Sequence, residues 1–176
     1  IPARDGPFSF CGVPFRIIYT PGHSAGHISA ITPDNVCYVA DALLSHELLG
    51  AKLPYNLSQK EAVASREKLR GLGCDVYIMA HRGVCPADQI EDLIDGNQQM
   101  IRQRTEEILE LIVRPMTLSQ IDQAVCARYQ LFTRKPPRSL RFERNVRFFV
   151  EYLLDEGQLE LTCRRGVAYY CRPSAQ

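Results

Sequence analysis

The apolar run Val13–Tyr19 ends in Thr20-Pro21-Gly22-His23-Ser24-Ala25-Gly26-His27, and this join constrains the chain more than any other stretch. Proline fixes φ and offers no N–H to a ladder, and glycine tolerates a sharp reversal. A strand must therefore stop here and release the His23 imidazole at its end. Strand ends are where sites are built. The design recurs in Tyr38-Val39-Ala40-Asp41 and in Tyr77-Ile78-Met79-Ala80-His81, apolar runs that each finish on a candidate metal ligand. If the three strands are neighbours in one sheet, imidazole, carboxylate and imidazole gather at one edge, a donor set suited to zinc or a similar divalent ion. One histidine after a strand is ordinary; three such ends in order are a pattern.

Around these ends the chain reads as α/β. Strands are expected at Val13–Tyr19, 28–32 and Val36–Ala40, with Pro33-Asp34-Asn35 turning between the last two. Ser58 and Glu61 form a capping-box pattern, which predicts a helix over Gln59–Leu69 that stops at Gly71 or Gly73. A strand over 75–80 then leads to His81, giving the strand, helix, strand order of α/β architecture. Pro86 and Asp88 open a long helix to about Arg114, with Ile90, Leu93, Ile94, Ile101, Ile108, Leu109 and Ile112 at helical spacing. The irregular stretch 42–56 follows a candidate ligand, so His46 and Tyr55 are candidate substrate-pocket residues.

Arg114-Pro115-Met116 breaks the long helix, and Thr117 with Gln120 caps another, so a domain boundary is expected between 114 and 115. Beyond it the expected order is a helix over Leu118–Tyr129, a basic loop, a helix over 140–154 and a hairpin turning at Arg164-Arg165-Gly166. Helices closed by a two-stranded hairpin describe a small winged-helix-like domain. From Met116 onward there are ten lysines and arginines against six acids, so the tail is basic. Arg138, Arg141, Arg144 and Arg147 recur every third residue, a candidate nucleic-acid footprint. Glu143, Glu151, Asp155 and Glu156 share or follow the same helix, so nucleic acid is not the favoured partner.

No apolar run approaches the roughly 20 residues that cross a bilayer, so no membrane role is expected. The seven cysteines are odd in number, scattered and mostly set in apolar runs, none in a Cys-x-x-Cys pair. That usage predicts reduced core thiols in a cytoplasmic protein, and it argues against a thiolate zinc site.

At these residues the chain resembles the metallo-β-lactamase superfamily of metal-dependent hydrolases. That superfamily's Thr-Pro-Gly-His-Ser/Thr-x-Gly-His segment is matched by Thr20 to His27, its strand-terminal Asp by Asp41 and its late His by His81, in the same order. The resemblance covers roughly residues 13–84. It implies that His23 binds one metal, that Asp41 bridges two and steers a hydroxide between them, and that His81 binds the second. His27 looks like the motif's other histidine, which supports the site without ligating. The resemblance further implies two zinc or similar ions in the intact protein and a small-molecule substrate hydrolysed at an ester, thioester, lactam or phosphodiester. The fold it implies is part of an αββα sandwich over 1–114, followed by the winged-helix-like domain over 115–176, an arrangement similar to one branch of the superfamily.

The superfamily's His-x-His-x-Asp-His segment, which supplies most of the ligands, has no counterpart here; the four histidines are His23, His27, His46 and His81. The expectation is a truncated hydrolase domain, inactive alone, whose exposed apolar sheet is covered by another copy in a homo-oligomer. The competing expectation is a binding or assembly module with a vestigial metal edge, its winged helix contacting nucleic acid or protein.

Overall fold

Prolines, glycines and caps set most element boundaries, and the structure, a computed structural model, describes residues 4–81 and 83–173. The chain forms two compact units, Ile1–Ala51 with Asn56–Met100 and Lys52–Tyr55 with Ile101–Gln176. The expected break at 114/115 falls inside the second.

In the first unit, β1 (Gly6–Phe10), β2 (Val13–Tyr19), β3 (Ile28–Ile31), β4 (Val36–Ala40), β5 (Val76–Met79) and β6 (Val84–Pro86) make one sheet in sequence order. The expected strands lie within a residue of their places; β1 and the three-residue β6, the two edge strands, are additions. β2 runs antiparallel to β3, β3 antiparallel to β4, and β4 parallel to β5. Strands β2, β4 and β5 therefore point the same way, and the residues that follow them emerge at one edge. The parallel step from β4 to β5 needs a crossover, supplied by helix α1 (Gln59–Leu69).

Two rows cross this sheet. Ile31, Cys37, Tyr77 and Cys85 are partners in register across β3 to β6 and lie in the core with Leu69, Ile90, Leu93 and Ile94. The other row runs through all six strands as Gly6, Ile17, Ala30, Tyr38, Ile78 and Val84. It is equally apolar, yet Tyr38 is 46% and Val84 67% exposed. A sheet apolar on both faces is built to be covered on both.

Helix α2 (Ile90–Leu111) follows a short 3-10 turn at Ala87–Gln89. In the second unit, α3 (Leu118–Tyr129) starts on the full Thr117/Gln120 capping box. Helix α4 (Pro136–Asp155) begins earlier than expected, because Pro136 and Pro137 occupy N1 and N2, where a missing N–H costs nothing. Strands β7 (Glu160–Arg164) and β8 (Val167–Cys171) pair through Arg165 and Gly166, with φ of 50° and 78°, the left-handed pair of a tight hairpin. Met116 exchanges hydrogen bonds of 2.9 and 2.8 Å with Tyr170 beside this hairpin. Ile121, Val125, Val146, Phe149 and Leu153 form the buried interior. No helix among the described residues is long and apolar enough to cross a membrane.

Candidate metal centre

The three candidate ligands reach one edge by different local devices. His23 sits on a loop closed at its base by the Thr20 N–H donating to the His27 carbonyl at 3.1 Å. Helix α1 clamps the loop: the Ser65 hydroxyl donates to Pro21 O at 2.6 Å and the Ser58 N–H to Gly22 O at 3.0 Å. Gly22 has φ of 135°, and a Cβ there would stand 2.4 Å from the Ala62 Cα. Only glycine lets the loop lie on the helix.

Asp41 follows a register shift between β4 and β5, where Ala40 adopts φ of 49°. A left-handed alanine is strained, and such strain gathers at functional sites. The Ala80 N–H donates to Ala40 O at 3.1 Å, tying the two parallel strand ends together. His81 follows Ala80 and is held by a tight return in which the Met79 N–H donates to Gly83 O at 3.1 Å.

These devices bring His23, Asp41 and His81 together. His23 Nε2 lies 3.8 Å from Asp41 Oδ2 and His81 Nε2 3.5 Å from Asp41 Oδ1, so each imidazole addresses a different carboxylate oxygen. Two donors on one tetrahedral ion at zinc bond lengths stand about 3.4 Å apart. The His81–Asp41 separation is close to that spacing and the His23–Asp41 separation somewhat longer, and imidazole and carboxylate are donors that suit zinc. Each pair supplies two donors only: among the described residues no group of three or more His, Cys, Asp or Glu is arranged to hold one ion. The side chains of Asp41 and His23 are 26% and 32% exposed, that of His81 71%.

His27 takes a different place. Its Nδ1 is 3.0 Å from the Thr20 hydroxyl, which is in turn 3.0 Å from the buried Ser29 hydroxyl, and its ring meets His23 edge-on at 6.0 Å. Its Nε2 is buried without a hydrogen-bond partner among the described residues. Burial first, then the neighbouring His23, lowers its pKa below the ordinary 6.5, while Thr20 and Asp41 act the other way. A histidine that titrates lower folded than unfolded lends stability above about pH 6.5, lost as pH falls through the folded value. Thermal unfolding measured from pH 7 to 5 should therefore show Tm falling with acid, and His27→Gln should flatten that slope.

The other candidates are not part of this cluster. His46 is exposed at the start of a 3-10 turn, His46–Leu48. Tyr55 packs edge-on against Phe148 at 5.8 Å and under the Arg144 guanidinium at 5.1 Å, a packing role in the second unit. Of the four α4 arginines, Arg144 is spent on Tyr55, Arg147 pairs with Glu151 at 2.9 Å and Arg138 lies over Phe142 at 5.7 Å. The basic surface is instead centred at the start of α4, where Arg134, Lys135, Arg138 and Arg141 line an open groove with Pro136 and Pro137. All seven cysteines are free, and burial together with Cys74 pushes the Cys37 thiol up to about 12, far from a thiolate at neutral pH. Two polar residues near Asp41 went unnoticed in the sequence, Arg66 on α1 and Asn97 on α2. Their only sequence signal is a position on the inward stripe of an amphipathic helix.

No family model matches the sequence. Atrochrysone carboxyl ACP thioesterase of Aspergillus fumigatus is 28% identical over 99 residues, covering 54% of this chain and 30% of the thioesterase. A metallo-β-lactamase family protein from Thermus thermophilus superposes with a TM-score of 0.70 at 23% identity, over 97% of this chain and 53% of that one. A β-lactamase domain protein from Burkholderia ambifaria gives 0.73 at 16% identity, over 97% and 51%. The fold is that of the metallo-β-lactamases. This likeness is one of fold. The chain spans less than a third of the thioesterase and about half of each of the two solved structures.

Proposed function

We propose that this chain carries half of a dinuclear metal centre in a hydrolase that cleaves a thioester. The observation that carries the reading is the convergence of His23 Nε2 and His81 Nε2 on opposite oxygens of Asp41, at 3.8 and 3.5 Å. His23 and Asp41 would hold one cation and His81 and Asp41 the other, zinc being the ion that suits this donor set. Bound cations would supply Lewis acidity toward the acyl oxygen and make a water more acidic. Asp41, facing both imidazoles, fixes their separation, and the Thr20–His27 contact holds the loop that presents His23. With two donors per ion among the described residues, further donors would be needed to complete each shell. The thioester rests on the name of the Aspergillus thioesterase, a relative that this chain matches in part.

The test is zinc titration of this chain followed by thioester assay of a protein that also carries a His-x-His-x-Asp-His segment. This chain alone should bind zinc weakly and turn over nothing; the longer protein should bind two ions and release thiol. Absence of zinc binding in both would remove the hydrolase reading.

The second unit is proposed to be winged-helix-like, formed by α3, α4 and the hairpin, with Met116 bridging to Tyr170. With Arg144 and Arg147 engaged within the unit, random duplex DNA should not bind at about 50 mM salt, and salt-sensitive binding there would contradict this. The sheet face that exposes Tyr38 and Val84 is proposed to meet a second copy of this chain in solution. Light scattering should give a dimer, and Val84→Glu, at an exposed position on that face, should dissociate it; a monodisperse wild-type monomer would contradict the pairing.

A further inference from the structure

Burying a guanidinium is expensive unless its N–H groups find acceptors, and a carboxylate is the usual one. Arg66 is 1% exposed, and among the described residues no carboxylate lies within ion-pair distance of it. Its Nε donates instead to the Ala42 carbonyl at 3.1 Å, and its Nη1 to the Asn97 carbonyl at a long 3.5 Å. Ala42 is the residue after Asp41. Asn97, 0% exposed, reaches the same segment from α2: its Oδ1 accepts from the Leu44 N–H at 2.9 Å, and its Nδ2 donates to the Leu44 and Leu93 carbonyls, each at 2.9 Å. The two side chains thus grip the backbone on either side of Leu43, which is 1% exposed in the core.

The neighbouring residue makes the seat close. A Cβ on Gly96 would stand 2.7 Å from Leu49 Cδ1, so α2 carries a glycine where alanine would favour the helix, and the segment after Asp41 lies against it. Burial brings the Arg66 guanidinium down only to about 10, so it remains a cation at neutral pH. Leucine and methionine could fill both positions without any polar atom to satisfy. Two buried polar side chains, on separate helices and aimed at one short segment, serve orientation more than packing.

We propose that Arg66 and Asn97 are positioning residues that set the Asp41 carboxylate between the two imidazoles by fixing the backbone at Ala42 and Leu44. The inference rests on the metal reading for its consequence and on these hydrogen bonds for its geometry. Ala40, with φ of 49°, would otherwise relax and turn Asp41 away, because its strain persists only while the surroundings hold it.

The experiment compares wild type, Arg66→Met, Arg66→Lys, Asn97→Leu and, as a control, Ile31→Ala, a truncation on β3 in the same core that removes no hydrogen bond to the Asp41 segment. Zinc affinity is read by competition with a chromogenic chelator, and Leu44 amide exchange by NMR without metal. Arg66→Met and Asn97→Leu should weaken zinc binding about 10- to 100-fold, the range for lost outer partners of a ligand. Arg66→Lys, which keeps the charge but loses the rigid planar fork of guanidinium donors, should fall between. Asn97→Leu should speed Leu44 exchange at least about tenfold, since its acceptor is gone. Ile31→Ala should lower Tm and leave affinity unchanged. Equal losses of affinity in Ile31→Ala and the two positioning variants, or wild-type affinity with wild-type Leu44 protection in Asn97→Leu, would overturn the proposal. If wild type binds no zinc, the metal reading fails, and Leu44 exchange still decides whether Asn97 holds the segment. Should either apolar variant not fold, Arg66→Lys carries the affinity comparison alone.

Discussion

Gly22→Ala should lower Tm by roughly 10 °C, a loss of about 3 kcal/mol or more. Two costs add. A residue with a side chain is strained at φ of 135°, and its Cβ would stand 2.4 Å from the Ala62 Cα and 2.5 Å from the Ala62 N, backbone atoms that cannot swing aside. Strained backbone is worth about 1–3 kcal/mol and overpacking about as much again. Relief requires α1 and the His23 loop to separate, which breaks the Ser65–Pro21 and Ser58–Gly22 hydrogen bonds. Scanning calorimetry measures this directly. A change under about 0.5 kcal/mol, the range of an ordinary surface substitution, would mean that the loop does not lie on the helix.

Asp41→Ala should have the opposite signature: little change in stability and loss of metal. Asp41 is partly exposed and ends a strand, so truncation leaves no cavity in the core. It stands against both imidazoles, so its loss would remove a donor from each ion and should weaken zinc more than the about 10- to 100-fold that an outer partner commands. Asp41→Asn keeps the shape but not the charge and should sit between. Calorimetry and zinc competition on the same samples separate the effects. Unchanged zinc affinity in Asp41→Ala would remove Asp41 from any site.

Much of this was legible in the chain because local chemistry agreed with the fold. Ser58 placed the start of α1 and Thr117 that of α3, since a side-chain oxygen at an N-cap acts within three residues. Pro21-Gly22-His23, Asp41 and His81 showed themselves as strand ends, and the shared direction of β2, β4 and β5 made them neighbours. Short edge strands did not show: β6 is three residues, one of them proline, and owes its place to pairing with β5. The start of α4 was missed because Pro136-Pro137 reads as a breaker until one sees that the prolines stand at N1 and N2. Arg66 and Asn97 were hidden for a related reason. A polar residue on a helix is read as solvated, and only tertiary contact shows that its partners are the carbonyls of another segment. The ring contacts of Tyr55 with Phe148 and Arg144 were equally hidden, because those partners lie about 90 residues further along the chain.

The decisive measurement is anomalous diffraction at the zinc edge from crystals of this chain soaked in zinc. Convergence of the three strand ends predicts anomalous peaks at bonding distance, about 2.0–2.2 Å, from His23 Nε2 and His81 Nε2, with Asp41 oxygens shared between them. Zinc bound only elsewhere, with the side chains at 23, 41 and 81 turned apart, would contradict it.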